Sequence, residues 1–192
     1  MNRKPILIAG FIIMVLAQLY VPGSMIMSHQ STLEQGHMYK FRTEPVDPTD
    51  PFRGKYVSLT YRNTQASVPA GEYYAPEETV YVTFTEDSEG FAKIDDVLRS
   101  PPEDTEYYLM TQVSYAQGEF GNIVVEFPFD RFYMEESKAY EAEKAHREAM
   151  WDEQQNTYAL VAIKEGNAVI QDVYINDISL KETVQQRLSE QE

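Results

Sequence analysis

Apolar and polar positions alternate along this chain with different spacings in different stretches. From Ile6 to Val21 the residues are apolar with Gln18 as the break, so the run has no polar face. A hydrocarbon core of about 30 Å takes about twenty helical residues, and residues 5–25 therefore predict a transmembrane helix. Residues 1–4, with Arg3 and Lys4, predict a cytoplasmic tail, which places the bulk of the chain on the far side of the membrane. A cleaved signal peptide shares this layout. The segment VPGSMIMSH offers Gly23 and Ser24 but no small-x-small cleavage site, so an uncleaved signal anchor is expected. Residues 26–36 read as a polar stalk, and residues 37–192 as the exported domain.

From Met38 the period becomes two, the period of a strand. Strands are predicted at His37 to Arg42, Tyr56 to Arg62, Thr79 to Thr85, Phe91 to Leu98, Tyr107 to Tyr115 and Asn122 to Phe127, with Pro, Gly, Asp and Ser between them. TVYVTFT and FAKIDDV flank the polar loop EDSEG, and TYALVAI and AVIQDVYI flank KEGN, so each pair predicts a hairpin. One long stretch, EESKAYEAEKAHREAMWDEQQN, reads as a solvated amphipathic helix with Ala139, Ala142, Ala145 and Ala149 as a shallow stripe. A second helix is predicted from Leu180 to about Ser189. The fold class expected is mainly β or α+β: antiparallel strands and hairpins, one long soluble helix, and a transmembrane helix ahead of them.

Charge and composition narrow the chemistry. The formal charge is -15, from 31 acidic and 16 basic side chains, which repels phosphate backbones and excludes nucleic acid as the natural partner. The absence of cysteine removes disulfides, thiol nucleophiles and thiolate metal sites together. His29, His37 and His146 are scattered, with no metal-binding spacing, and solvent exposure is expected for all three. No cofactor or metal is expected, and no phosphate-binding glycine loop is present.

The densest motif is PVDPTDPFRGKYVSLTY, residues Pro45 to Tyr61. Pro45, Pro48 and Pro51 recur at the three-residue turn of polyproline II and predict a stiff connector. Gly54 permits a tight turn into a strand whose odd positions, Val57, Leu59 and Tyr61, form the core candidate face. Tyr56 is a large ring on the more polar face, suited to packing or to lining a surface site.

With Gly54, Lys55, Tyr56, Leu59 and Tyr61 in register, and an apolar N-terminal segment ahead of them, the chain resembles the bacterial GDYXXLXY family. The likeness extends to PVDPTDPFR, more loosely to FDRFYMEE and to the closing strand pair. Lys55 stands where the signature has Asp, which removes any acid-based chemistry from that position. The resemblance implies a membrane-anchored exported protein of a group without an assigned biochemical activity, sometimes encoded beside polytopic membrane proteins. The candidate binding set that it marks is Asp47, Asp50, Arg53, Gly54, Lys55, Tyr56, Leu59, Tyr61, Arg131 and Glu135. A site reading of this set requires Arg53, Lys55 and Tyr56 to converge with Arg131 and Glu135.

The function expected is that of a non-enzymatic accessory or interaction protein, anchored through residues 5–25 in the bacterial inner membrane. A polytopic inner-membrane protein is the expected kind of partner, with the tyrosines at Tyr56, Tyr81 and Tyr107 to Tyr115 as contact surface. Two alternatives stand beside it. One is a small-ligand-binding envelope domain. The other is a serine hydrolase resembling signal peptidases, with Ser24 as nucleophile and Lys55 or Lys93 as base.

Overall fold

The computed structural model describes residues 4–44, 56–62, 64–69, 72–117, 121–152 and 155–190. The first helix, α1 (Lys4–Gln35), runs unbroken through the expected anchor and stalk and carries Pro22 inside it. At 1.5 Å per residue it is about 48 Å long, roughly 18 Å more than a hydrocarbon core. Among the described residues it is the one helix long and apolar enough to cross a membrane, and its apolar window is wholly unburied by the rest of the chain. It could therefore anchor in a membrane.

Its last turn is tied to the domain. Thr32 is buried, and its carbonyl accepts the Gly36 N–H at 2.9 Å. Lys164 Nζ donates to Gln35 Oε1 at 2.7 Å. A Cβ on Gly36 would sit 2.4 Å from the Thr32 carbonyl oxygen and 3.1 Å from that of Ile163, both of them backbone atoms. Gly36→Ala should therefore lower the unfolding free energy of the micelle-held full chain by about 1–3 kcal/mol, the usual cost of overpacking. Chemical denaturation followed by near-ultraviolet dichroism reads it, and an unchanged midpoint would mean that this joint is not tightly packed.

After α1 come twelve strands and two more helices among the described residues. One five-stranded sheet has the order β12 (Ile178–Ser179), β11 (Asn167–Ile175), β10 (Thr157–Lys164), β1 (His37–Glu44), β3 (Thr60–Tyr61). The second has the order β4 (Gln65–Ser67), β8 (Asn122–Val125), β7 (Tyr108–Gln117), β5 (Thr79–Glu86), β6 (Ala92–Leu98). A two-stranded ribbon pairs β2 (Tyr56–Ser58) with β9 (Arg131–Tyr133). Every ladder between these strands is antiparallel. Helix α2 (Glu136–Trp151) packs on β2 and on α3 (Leu180–Ser189).

Both expected hairpins form, β5 with β6 and β10 with β11. The second turns on Glu165 and Gly166, both at positive φ (46° and 82°), which is the twist that two-residue hairpin loops require. Its tip also joins the sheets: Gly166 N–H donates to the Tyr108 carbonyl at 2.8 Å, and Met110 N–H donates to that of Gly166 at 3.1 Å.

Between the sheets lies an aromatic core. Phe41 of β1 sits 5.2 Å from Phe84 of β5, 5.3 Å from Phe127 and 5.1 Å from Phe129, centroid to centroid. Phe127 and Phe129 stack on each other at 5.1 Å. Such ring pairs contribute about 0.5–1.5 kcal/mol each beyond their area burial, so this cluster helps to bind the two layers.

Three expectations need correction. The strand expected at Tyr56 to Arg62 is two short strands in different sheets, broken at Leu59, whose N–H turns to the Asp130 carbonyl at 2.8 Å. The long helix stops at Trp151, where Asp152 is extended with ψ 105°, and Gln155 and Asn156 of the expected stretch are not helical. His146 is not solvent-exposed but 1% accessible, whereas His29 and His37 are exposed as expected. The reason lies in α2, whose alanines Ala139, Ala142, Ala145 and Ala149 are all buried, so the helix sinks close to its neighbours and takes His146 with it.

Candidate functional site

Of the ten signature-marked residues, Asp47, Asp50, Arg53, Gly54 and Lys55 lie outside the described residues, as does the proline connector. The other five are divided between two tasks. Leu59 and Tyr61 are core: each is buried, and the Tyr61 hydroxyl donates to the Phe129 carbonyl at 2.8 Å. Burial, reinforced by Asp130, raises the Tyr61 pKa well above that of a free phenol. This hydroxyl is a buried donor and no acid or base at neutral pH.

Tyr56 and Arg131 meet at the surface. In the β2–β9 ribbon Tyr56 stands opposite Tyr133, rings 5.6 Å apart, and Ser58 stands opposite Arg131. The Arg131 guanidinium lies 5.2 Å from the Tyr56 ring centroid, a cation–π arrangement. A bond to the Tyr133 side chain, then Asp130, raises the Arg131 pKa further. Glu135 does not join them, because its carboxylate pairs with Lys138 Nζ at 2.9 Å at the start of α2. Tyr56, Arg131 and Tyr133 thus form an outward aromatic–guanidinium patch, with Tyr133 64% exposed. Tyr81 and Tyr108 pair elsewhere, 5.8 Å apart, across β5 and β7.

A second, concave feature escaped the sequence reading. Where β1 ends, a cavity of about 520 Å³ is lined by Arg42, Thr43, Arg62, Glu89, Asp152 and Thr157, with Met150, Gln155 and Asn156 completing the wall. Each wall has a local cause. The Arg62 N–H donates to the Arg42 carbonyl at 3.3 Å, which sets the two arginines side by side at the cleft. The Arg42 guanidinium is fixed between Glu89 Oε2 at 2.6 Å and the face of Phe91, 3.7 Å from its centroid. Glu89 is placed by the β5–β6 turn, where the Asp87 carboxylate accepts N–H bonds from Glu89 and Phe91, both at 2.9 Å. Those bonds, Phe91 foremost, hold the Asp87 pKa below its ordinary value.

Behind the threonines lies the buried histidine. Thr43 Oγ1 donates to Thr157 Oγ1 at 2.8 Å and lies 3.3 Å from His146 Nε2. Desolvation lowers the His146 pKa from 6.5 to about 4, so the ring is neutral at physiological pH. The two threonine hydroxyls give the cleft a polar floor without a net charge, with the neutral imidazole buried behind them. No local spacing announces this site, because its residues come from β1, the β5–β6 turn, the end of α2 and the start of β10.

Of the residues that the hydrolase alternative names, Ser24 and Lys93 are described, whereas Lys55 lies outside the described residues. The Ser24 hydroxyl donates to the Val21 carbonyl at 2.8 Å inside α1. It stands eleven residues before Gln35 in that helix, about 16 Å along the axis. Lys93 is exposed on β6 in register with Thr85 of β5. Among the described residues, no group of three or more His, Asp or Glu is placed to hold a metal ion.

A family model described as GDYXXLXY protein matches residues 18–173. No curated protein and no solved structure matches the chain.

Proposed function

We propose that this chain, which belongs to the GDYXXLXY protein family, is a non-enzymatic accessory protein of the bacterial inner membrane. It acts on the extracytoplasmic side by binding another envelope protein, with a polytopic membrane protein as the partner class. The observation that carries this reading is the union of α1 with the domain. A helix with an unburied apolar window continues into a last turn packed on β10 and β11, so anchor and domain form one piece. A domain held in this way meets partners in or beside the same membrane. The patch of Tyr56, Arg131 and Tyr133 has the residue types that dominate binding energy at protein interfaces, and it is the contact surface proposed here.

Two measurements test it. Cross-linking at native expression followed by purification in mild detergent should recover a partner, and recovery of the monomer alone would count against the reading. For orientation, the chain's lack of cysteine allows a single probe, Ser189→Cys. A membrane-impermeant maleimide added to cells with a permeabilised outer membrane should label it, and labelling only after lysis would reverse the topology.

The small-ligand reading is favoured by the polar cleft at the end of β1. Its volume of about 520 Å³ lies in the range of ligand sites, and eight of its nine described lining residues are polar, which suits a polar ligand.

A further inference from the structure

We infer that α1 pairs inside the membrane with α1 of a second copy of this chain, through the face that carries Gln18. This inference rests on the anchor reading, and the face lies apart from both the tyrosine patch and the cleft.

Gln18 is the polar break in the apolar run from Ile6 to Val21. With residues 5–25 as the span, it stands about 5 Å along the axis from the midpoint, so about 10 Å of hydrocarbon separates it from the nearer interface. Its two methylenes are half the stem with which a lysine snorkels to an interface. The Ser24 hydroxyl bonds the Val21 carbonyl within the helix and Gln30 donates to Glu34, whereas the Gln18 amide has no hydrogen-bond partner among the described residues. The backbone adds to the deficit at the same residue. Pro22 has no N–H, so the Gln18 carbonyl lacks the donor that an α-helix supplies from four positions on. In hydrocarbon such groups are met by a neighbouring helix, since no water is there to meet them.

A second copy supplies the matching groups. An amide carries two N–H donors and one acceptor oxygen, and with the freed carbonyl each chain offers two donors against two acceptors. An identical anchor brings the same set to the same depth, so a twofold pair is self-complementary. The rest of the face is open to contact, because Phe11, Met14 and Met25 turn to within about 40° of Gln18 and are exposed. The folded domain does not obstruct it. Ser28, Ser31 and Thr32, where α1 becomes partly or fully buried, lie about 80°, 140° and 40° from Gln18, all in one sense about the helix axis. A twofold axis through the Gln18 face therefore carries the two domains to opposite sides of the helix pair.

The test uses the chain's lack of cysteine. Single cysteines are placed in the full chain in phosphatidylcholine vesicles with a glutathione redox buffer, so that the disulfide-linked fraction reads association. Phe11→Cys and Met25→Cys, each about 20° from Gln18 round the helix, should form linked dimers, and Leu16→Cys, about 160° away, should not. In the Met25→Cys background, Gln18→Leu should weaken association about five- to thirtyfold, and Gln18→Asn, which keeps an amide, should weaken it less. Equal linking through Leu16→Cys would mean random collision and would overturn the pairing face. Association indifferent to Gln18→Leu would overturn the amide as its basis. No linked dimer through Phe11→Cys or Met25→Cys, from a chain that resists carbonate extraction, would overturn the second copy and leave the anchor standing. Release of the chain by carbonate would end the anchor reading and this inference with it.

Discussion

Replacing Tyr61 by alanine is expected to lower the unfolding free energy by about 3–5 kcal/mol, the range for deleting a buried aromatic ring. Its ring lies 5.9 Å from Phe41, 5.7 Å from Phe127 and 5.1 Å from Phe129, so the deletion opens the cluster that joins the two sheets. Tyr61→Phe keeps the ring and strands the Phe129 carbonyl, which should cost about 1–3 kcal/mol. Tyr56→Ala should cost less than Tyr61→Ala, because Tyr56 is only half-buried and its partners, Tyr133 and Arg131, are surface residues. Denaturant midpoints of the three variants in one micelle system decide it. If Tyr56→Ala were the most damaging, the aromatic part of the signature would be organised around the ribbon and not around the core. If the order holds while Tyr56→Ala loses partner cross-linking, the signature carries two roles: Leu59 and Tyr61 hold the fold, and Tyr56 presents the contact.

That division was half legible from the residues. Alternation put Val57, Leu59 and Tyr61 on one face, and all three are buried, because a period of two needs only the local backbone to be extended. The break at Leu59 was not legible, since it depends on an Asp130 carbonyl seventy-one positions away. The short strands β4, β9 and β12 were missed for a similar reason: two or three residues carry no period, and each strand exists through its partner. The hairpin at Glu165 and Gly166 was legible because its turn chemistry is local. The cleft had no local signature, and it arises from the long-range pairing that brings Arg62 beside Arg42. His146 is the instructive case. It lies four residues after Ala142 and three before Ala149, on the very stripe that faces inward, and that helical spacing outweighs the polar character of its neighbours in sequence.

The buried His146 makes stability fall as the medium is acidified from about pH 6.5 toward pH 4. In the folded chain its pKa is lowered to about 4 by desolvation, from an ordinary 6.5. Between those values the unfolded chain binds a proton that the folded chain refuses, so the stabilisation present above pH 6.5 is lost as pH drops. The two values differ by about 2.5 pH units, which sets a loss of roughly 3 kcal/mol for this one group. Carboxylates act in a separate window. Glu78, Asp87 and Glu148 are held below their ordinary values by hydrogen bonds from Ala75, Phe91 and Arg187 respectively, so what they contribute is lost only on further acidification, as pH falls from the ordinary carboxylate range through their lowered values. Urea midpoints of the wild type should therefore decline from pH 7 to pH 5, where those carboxylates are still ionised in both states. His146→Gln, which keeps a hydrogen-bonding group near Thr43 but cannot titrate, should flatten the profile over that interval. A wild-type midpoint constant from pH 7 to pH 5 would mean that His146 takes up its proton without leaving the core. A profile equally steep in the Gln variant would assign the loss to another group. If the flattening is seen, the fall in stability reads the buried, neutral His146 ring held beside Thr43.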